Sequence, residues 1–282
     1  MTISMKTFVE ISIRANPTQR ELLLPTMVAL GCQGFEERDD LLLAYLEKSV
    51  WESHGRGLAT ITAIAPDAVV SLREFADRNW NADWEATIRP IEVGRRLVVK
   101  PSWAALDAAS DRMVIQIDPK MSFGTGYHET TRLTLQLLEE NVRPGDRMLD
   151  VGTGTGILAI AGVMLGAASG IGIDIDEWSM DNARENVEAN ALLGQITISD
   201  APVSSFAPAE FTLLAANLTL NTNLELLGEF RRVLQLGGRA LFSGLLKHDE
   251  VAMVKGLETN SFKLLGQLYE NEWVAIVAER TS

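Results

Sequence analysis

The chain has 282 residues, 46% of them hydrophobic and 22% charged, with 25 basic against 38 acidic side chains for a formal charge of −13; this describes an ordinary soluble globular chain of about two domains. The acidic balance works against direct binding of nucleic acid, whose phosphates it would repel, and without a run of 18 uncharged apolar residues or a signal-peptide pattern the chain is expected to be cytoplasmic, with no membrane association. A single cysteine, Cys32, excludes an intramolecular disulfide and reads as a buried structural thiol, and three scattered histidines, His54, His128 and His248, do not suggest a metal site.

Residues 6–13 alternate apolar and polar side chains as a half-buried strand does. A helix is predicted over 17–30, with Pro17 at its start, Leu22, Leu23, Met27 and Leu30 on one face, and Gly31 closing it. Residues 34–38 and 41–46 read as a hairpin around Asp39-Asp40; residues 59–65 then read as a strand and 67–78 as a helix. This order suggests a small α+β unit of ferredoxin-like type over 1–79, with nothing in it that looks catalytic. Residues 80–112 read as a linker. Trp80 and Trp84 share a helical face there, fastening the linker to a domain, and Pro90, Gly94 and Pro101 punctuate two short strands.

From residue 113 to the end the pattern is that of alternating strands and helices. A strand over 113–117 leads into a loop, Phe123-Gly124-Thr125-Gly126-Tyr127-His128, that is able to fold over a ligand. Thr130 or Thr131 is the default cap of the helix that follows, and His128, among small polar residues, reads as a local hydrogen-bonding group. Met148-Leu149-Asp150-Val151 then runs through Gly152, Gly154 and Gly156 into helix formers ending near Gly166, which is strand, tight turn, helix. Glycine permits both a positive φ and a ligand resting on the backbone, and the helix start offers unpaired N–H groups.

A second strand over 170–174 ends in Asp174, 22 residues after Gly152, where such folds hold ribose hydroxyls. The third glycine comes one residue too early for the dinucleotide fingerprint. Asp176 caps a helix to Asn190; a strand over 196–199 ends at Asp200, within reach of an adenine edge. A buried strand over 211–216 places Asn217 at its carboxyl end, where open parallel sheets bind ligands, although Asn217 has the alternative reading of a cap for the next helix. Gly237-Gly238 turns into a strand over 239–243, a helix follows over 249–257, and 262–269 with 273–278 form a closing antiparallel pair.

These residues carry a resemblance. Phe123-Gly124-Thr125-Gly126-Tyr127-His128-Glu129-Thr130-Thr131, the Asp150 to Gly156 turn, Gly172-Ile173-Asp174, Ala216-Asn217-Leu218 and Gly238 to Lys247 resemble the bacterial methyltransferases of large-subunit ribosomal protein eleven. The likeness covers about residues 80–282; over 1–79 it rests on element order and on Gly34-Phe35-Glu36. It implies a seven-stranded, Rossmann-like class I methyltransferase domain behind a small substrate-recognition domain. It also implies S-adenosylmethionine as the methyl donor, with lysine ε-amines and the N-terminal α-amine of that ribosomal protein as acceptors. The enzyme is expected to act as a monomer; the alternative is a same-fold enzyme for another protein's lysine or a small amine. The cofactor site would comprise Phe123, Gly124, Thr131, Gly152, Gly154, Asp174, Asp200 and Asn217, with Asn217 also the catalytic residue and with no metal.

Overall fold

The computed structural model describes residues 7–32, 34–38, 41–53, 57–76, 89–105, 111–118 and 122–282. The chain divides into two compact units, Met1–Thr87 and Ile88–Ser282.

The first unit contains β1 (Thr7–Arg14), α1 (Pro17–Ala29), β2 (Gly34–Arg38), β3 (Leu41–Glu47), α2 (Lys48–Ser53), α3 (Gly57–Ile64) and β4 (Val69–Ala76). Its antiparallel sheet has the order β2-β3-β1-β4. Helix α1 begins in a capping box: the Asn16 side chain accepts from the Gln19 N–H at 2.9 Å, and the Gln19 side chain accepts from the Asn16 N–H at 3.2 Å. Val9, Ile11 and Ile13, on one face of β1, pack with Leu23 and Met27 of α1 and Ile61 of α3.

Two expectations are corrected here. Residues 59–65 lie in or at the end of helix α3, and 69–76 form the strand β4 that pairs along the whole of β1. The run Ala59-Thr60-Ile61-Thr62-Ala63-Ile64-Ala65 alternates in sequence, yet Ile61 and Ala65, one helical turn apart, are buried while Thr62 and Ala63 are exposed. Tertiary packing overrode the modest strand preference of its β-branched residues, and Pro66, which has no N–H to donate, follows directly. The tryptophan pair and the Asp39-Asp40 turn lie outside the described residues.

The second unit opens with β5 (Ile91–Val93), β6 (Leu97–Lys100) and β7 (Met113–Gln116), a three-stranded sheet in which β6 pairs antiparallel with β5 and parallel with β7. The two short strands expected within the linker thus belong to this unit. There follow α4 (Glu129–Asn141), β8 (Arg147–Val151), α5 (Ile157–Leu165), β9 (Ser169–Ile173), α6 (Glu177–Ala189), β10 (Ile196–Ser199), β11 (Phe211–Asn217), α7 (Leu220–Val233), β12 (Leu234–Leu246), α8 (Glu250–Thr259), β13 (Phe262–Glu270) and β14 (Trp273–Arg280).

Seven strands form one mixed sheet in the order β10-β9-β8-β11-β12-β14-β13, with β8 to β12 parallel and β14 antiparallel to both neighbours. The architecture is therefore α/β, as expected. Successive strand residues serve opposite faces. Met148, Leu213 and Ala215 pack with Leu135 and Leu138 of α4 and Ile160 of α5, whereas Leu149, Leu214 and Ala216 pack with Phe230 of α7 and Leu257 of α8. With both faces covered, the parallel strands read as the apolar runs seen in the sequence.

Strand β12 begins five residues earlier than expected. Gly237, at φ 73°, lies within it, and the register against β11 shifts between Phe211 and Leu213. The glycine pair thus sits inside the strand instead of opening it. At the amino edge of the sheet, Arg239 Nη2 donates to both oxygens of Asp146 at 2.7 and 2.9 Å, and the Thr212 hydroxyl and Arg143 N–H complete that carboxylate's shell. Among the described residues, no helix is long and apolar enough to cross a membrane and no group of three or more His, Cys, Asp or Glu side chains could hold a metal ion. Cys32 is buried, and burial pushes its thiol up to about 11.

Candidate active site

The turn after β8 is held from two sides. The N–H groups of Gly152 and Thr153 both donate to the Ile173 carbonyl at 2.9 Å, tying the turn to the end of β9. Beneath it, Asp150 is wholly buried, and its Oδ2 accepts from the Thr153 hydroxyl at 2.6 Å and the Ala159 N–H at 3.2 Å. Burial pushes the Asp150 carboxyl up to about 7; the bonds from Thr153 and Ala159 pull it down, and the charge of Asp174 adds an upward push.

Two glycines in the turn hold a positive φ and leave no room for a side chain without a neighbour moving. At Gly152, φ 71°, a Cβ would lie 2.5 Å from Leu218 Cδ2; at Gly154, φ 53°, it would lie 2.3 Å from the Phe123 carbonyl oxygen. The loop bearing Phe123 and Gly124 therefore packs directly on the turn. Thr155 fastens it there, its N–H donating to the Phe123 carbonyl at 3.0 Å and its hydroxyl to the Gly124 carbonyl at 2.6 Å.

Asp174 follows β9. Its carboxylate accepts from the N–H groups of Gly154 at 2.9 Å, Ile175 at 2.8 Å and Asp176 at 3.1 Å. With only the Gly154 bond on Oδ2, that oxygen keeps a lone pair for a ligand hydroxyl. Asn217 ends β11, and its Nδ2 donates to Thr130 Oγ1 at 3.2 Å while its Oδ1 is buried with no partner. The cap of α7 is Thr219, whose hydroxyl accepts from the Thr222 N–H. Asn217 is thus free of the capping role that the sequence left open to it. The cap of α4 is likewise neither Thr130 nor Thr131: it is His128, whose Nδ1 accepts from the Thr130 N–H at 3.3 Å.

These segments enclose a cavity of about 620 Å³ whose wall includes Phe123, Gly152, Gly154, Asp174, Asp200 and Asn217. Six of the eight site residues chosen from sequence thus come together on one surface. Gly124 and Thr131 do not line it: both are buried, Gly124 bonded to Thr155 and Thr131 with a hydroxyl that has no partner. The wall also includes Leu218, which the resemblance covers, and Ile175, Ser179 and Thr222, which the sequence did not single out. The signal available for Ile175 was adjacency, since it follows Asp174.

The residues present fit a nucleoside joined to an amino acid. The volume is that of a small-molecule site, the backbone is bare where Gly152 and Gly154 lie, and a carboxylate stands at the end of β9. The partnerless Oδ1 of Asn217 and hydroxyl of Thr131 are acceptors of a kind that costs about 1–3 kcal/mol each when left unpaired.

The family model described as ribosomal protein L11 methyltransferase (PrmA) matches residues 42–281. The ribosomal protein L11 methyltransferase of Chlorobaculum parvum is 36% identical over 280 residues, 96% of each chain, and that of Chlorobaculum tepidum is 34% identical over the same span and shares. Among solved structures, the ribosomal protein L11 methylase of Lactobacillus delbrueckii subsp. bulgaricus superposes with a TM-score of 0.63 at 29% identity, covering 69% of this chain and 100% of that one. With a family model spanning most of its length and relatives matched almost end to end, this chain belongs to the ribosomal protein L11 methyltransferase family.

Proposed function

We propose that this protein transfers methyl groups from S-adenosylmethionine to ribosomal protein L11, at lysine ε-amines and the N-terminal α-amine. The observation that carries this reading is that Asn217, whose side-chain oxygen is buried without a partner, belongs to the wall of the cavity that Gly152 and Asp174 also line. The cofactor supplies an electrophilic methyl on a sulfonium: the amine lone pair forms the N–CH₃ bond, the S–CH₃ electrons return to sulfur, and the nitrogen loses a proton to water.

The protein's own task is mainly alignment. Gly152 and Gly154 let the cofactor lie on the backbone, Asp174 takes the ribose hydroxyls through its remaining lone pair, and Asp200 faces the adenine edge. Thr131 and Gly124 act from beneath the surface, Thr131 as a polar group for the amino-acid end and Gly124 by keeping the Phe123 loop against Thr155. An incoming lysine, with a pKa of about 10.4 in water, must arrive neutral, and the apolar wall of Phe123, Val151 and Leu218 favours that form. Asn217 Oδ1 then accepts an N–H of the amine and turns its lone pair toward the methyl group. No side chain is needed as a dedicated base.

The first unit, Met1–Thr87, is the part proposed to recognise the ribosomal protein. The enzyme is proposed to work as a cytoplasmic monomer without binding nucleic acid directly. Incubating the chain with labelled S-adenosylmethionine and purified L11, followed by mass spectrometry of L11, should show methyl increments on lysines and the N-terminus. Label entering other proteins of an extract but never L11 would overturn the choice of substrate.

A further inference from the structure

We infer that His128 is a positioning residue, acting through Thr130 to fix which end of the Asn217 amide faces the cavity; this rests on the proposed role of Asn217 in methyl transfer. One group beside the ring has a role that cannot be exchanged. The backbone N–H of Thr130 can only donate, and it points at His128 Nδ1 at 3.3 Å, so Nδ1 must carry the lone pair and the ring proton must sit on Nε2. The Thr130 hydroxyl lies 2.9 Å from the same Nδ1. With Nδ1 an acceptor, that hydroxyl must donate to it, which leaves only lone pairs on Thr130 Oγ1. The Asn217 amide, 3.2 Å away, can therefore meet Thr130 only with Nδ2, and Oδ1 is left as the end of the amide without a partner. The reversed amide would set two acceptors against each other beside Thr130 and present an N–H₂ group to the incoming amine.

The ring is held from both sides. It stacks tilted against Phe123 at 5.2 Å and edge-on to Trp273 at 4.9 Å between centroids. The charged groups around it are the Glu129 carboxylate, 4.0 Å from Nδ1, and Arg132, which pairs with Glu129 at 3.8 Å and with Glu270 of the β13–β14 hairpin at 2.5 Å. Protonating His128 would put a donor where the network needs an acceptor. Thr130 would then have to turn its hydrogen toward Asn217, and the orientation of the amide would no longer be fixed.

The test separates this chain of bonds from the plain helix cap. Thr130→Val keeps the backbone N–H that the cap uses but removes the hydroxyl. It should lower kcat about ten-fold with little change in the affinity for S-adenosylhomocysteine measured by calorimetry, and Thr130→Ser should restore the rate. His128→Asn places an amide oxygen near the Nδ1 position, and it should retain most of the wild-type rate. A readout independent of activity comes from ¹⁵N spectra of the histidines in the unliganded protein, with the His128 signal assigned by its absence in His128→Asn: the proton is expected on Nε2. A proton on Nδ1, or a Thr130→Val enzyme with wild-type kcat, would overturn the inference. A wild-type protein that methylates nothing, yet shows the Nε2 proton, would instead overturn the proposed function and leave the hydrogen-bond order standing.

Discussion

Asp146 and Asp150 are buried carboxylates four residues apart, one just before β8 and the other near its end, and they are treated in opposite ways. Asp146, at the amino edge of the sheet, is saturated: Arg239, Thr212 and the Arg143 N–H occupy both of its oxygens. Asp150, under the glycine turn, has no cation, one oxygen without a partner, and a carboxyl pushed up to about 7. Similar burial thus goes with very different pairing of the two carboxylates. At the amino edge both oxygens of Asp146 are bonded, and the atoms left short are the Nε and Nη1 of Arg239; at the carboxyl edge the atoms left short are oxygens, of Asp150, Thr131 and Asn217, of which Asn217 belongs to the cavity wall.

The largest effect is expected at the amino edge. Asp146→Ala leaves the Arg239 guanidinium buried without its partner, which should cost about 3–5 kcal/mol in urea unfolding, with kcat unchanged wherever the variant is still folded. An unchanged midpoint would show that the pair is dispensable and the contrast empty.

Asn217→Ala should do the reverse. Losing one oriented polar group at a reacting centre should lower kcat by roughly 100-fold or more, near 3 kcal/mol. Folding stability should stay within about 1 kcal/mol, because the substitution also removes a buried oxygen that had no partner. A large loss of stability with normal turnover would place Asn217 among the structural residues.

Asp150 gives a dependence on pH whose sign is fixed. Folded, it holds its proton up to about 7, against 3.8 for the ordinary carboxyl, so between those values the native state binds more protons than the unfolded one. Its contribution to stability is then greatest below about pH 4 and is lost as pH rises toward 7. Relative to Asp150→Asn, the wild type should lose about 2 kcal/mol between pH 5 and pH 7. Parallel stability curves for the two proteins would mean that Asp150 is ionised at no cost.

Much of this contrast was legible in the sequence. Positive φ and a close backbone approach favour glycine, so Gly152 and Gly154 declared the turn, and parallel strands place their ends at one edge, so Asp174 and Asn217 fell together. What escaped depended on which of several similar groups meets a given partner in space. Residues 59–65 alternate like a strand, but the burial of Ile61 and Ala65 one turn apart follows from packing on β1. His128 took the cap that threonine usually holds, because its ring is gripped by Phe123 and Trp273, the latter 145 residues later. Nothing local marks Asp146 as saturated and Asp150 as not, since the difference is made by Arg239 and Thr212 on other strands.

The smallest effect decides between neighbours at the carboxyl edge. Asn217 and Thr219 both precede α7, and either residue type can cap a helix. The Thr219 hydroxyl accepts from the Thr222 N–H at 3.4 Å and shares a hydrogen with the Thr222 hydroxyl at 2.9 Å, a long cap bond on an exposed turn. Thr219 also lines the cavity, but its hydroxyl is spent on the cap, so Thr219→Ala should cost only about 0.5–1 kcal/mol in urea unfolding, at the low end for a cap, and lower kcat far less than Asn217→Ala does. Measured beside Asn217→Ala, it gives a crossed pair: one substitution moves stability more than rate, the other moves rate and hardly touches stability. If both variants lost rate and stability together, the end of β11 and the start of α7 would form a single structural unit, and the division between bonds spent on the fold and bonds kept for the ligand would not extend to this edge.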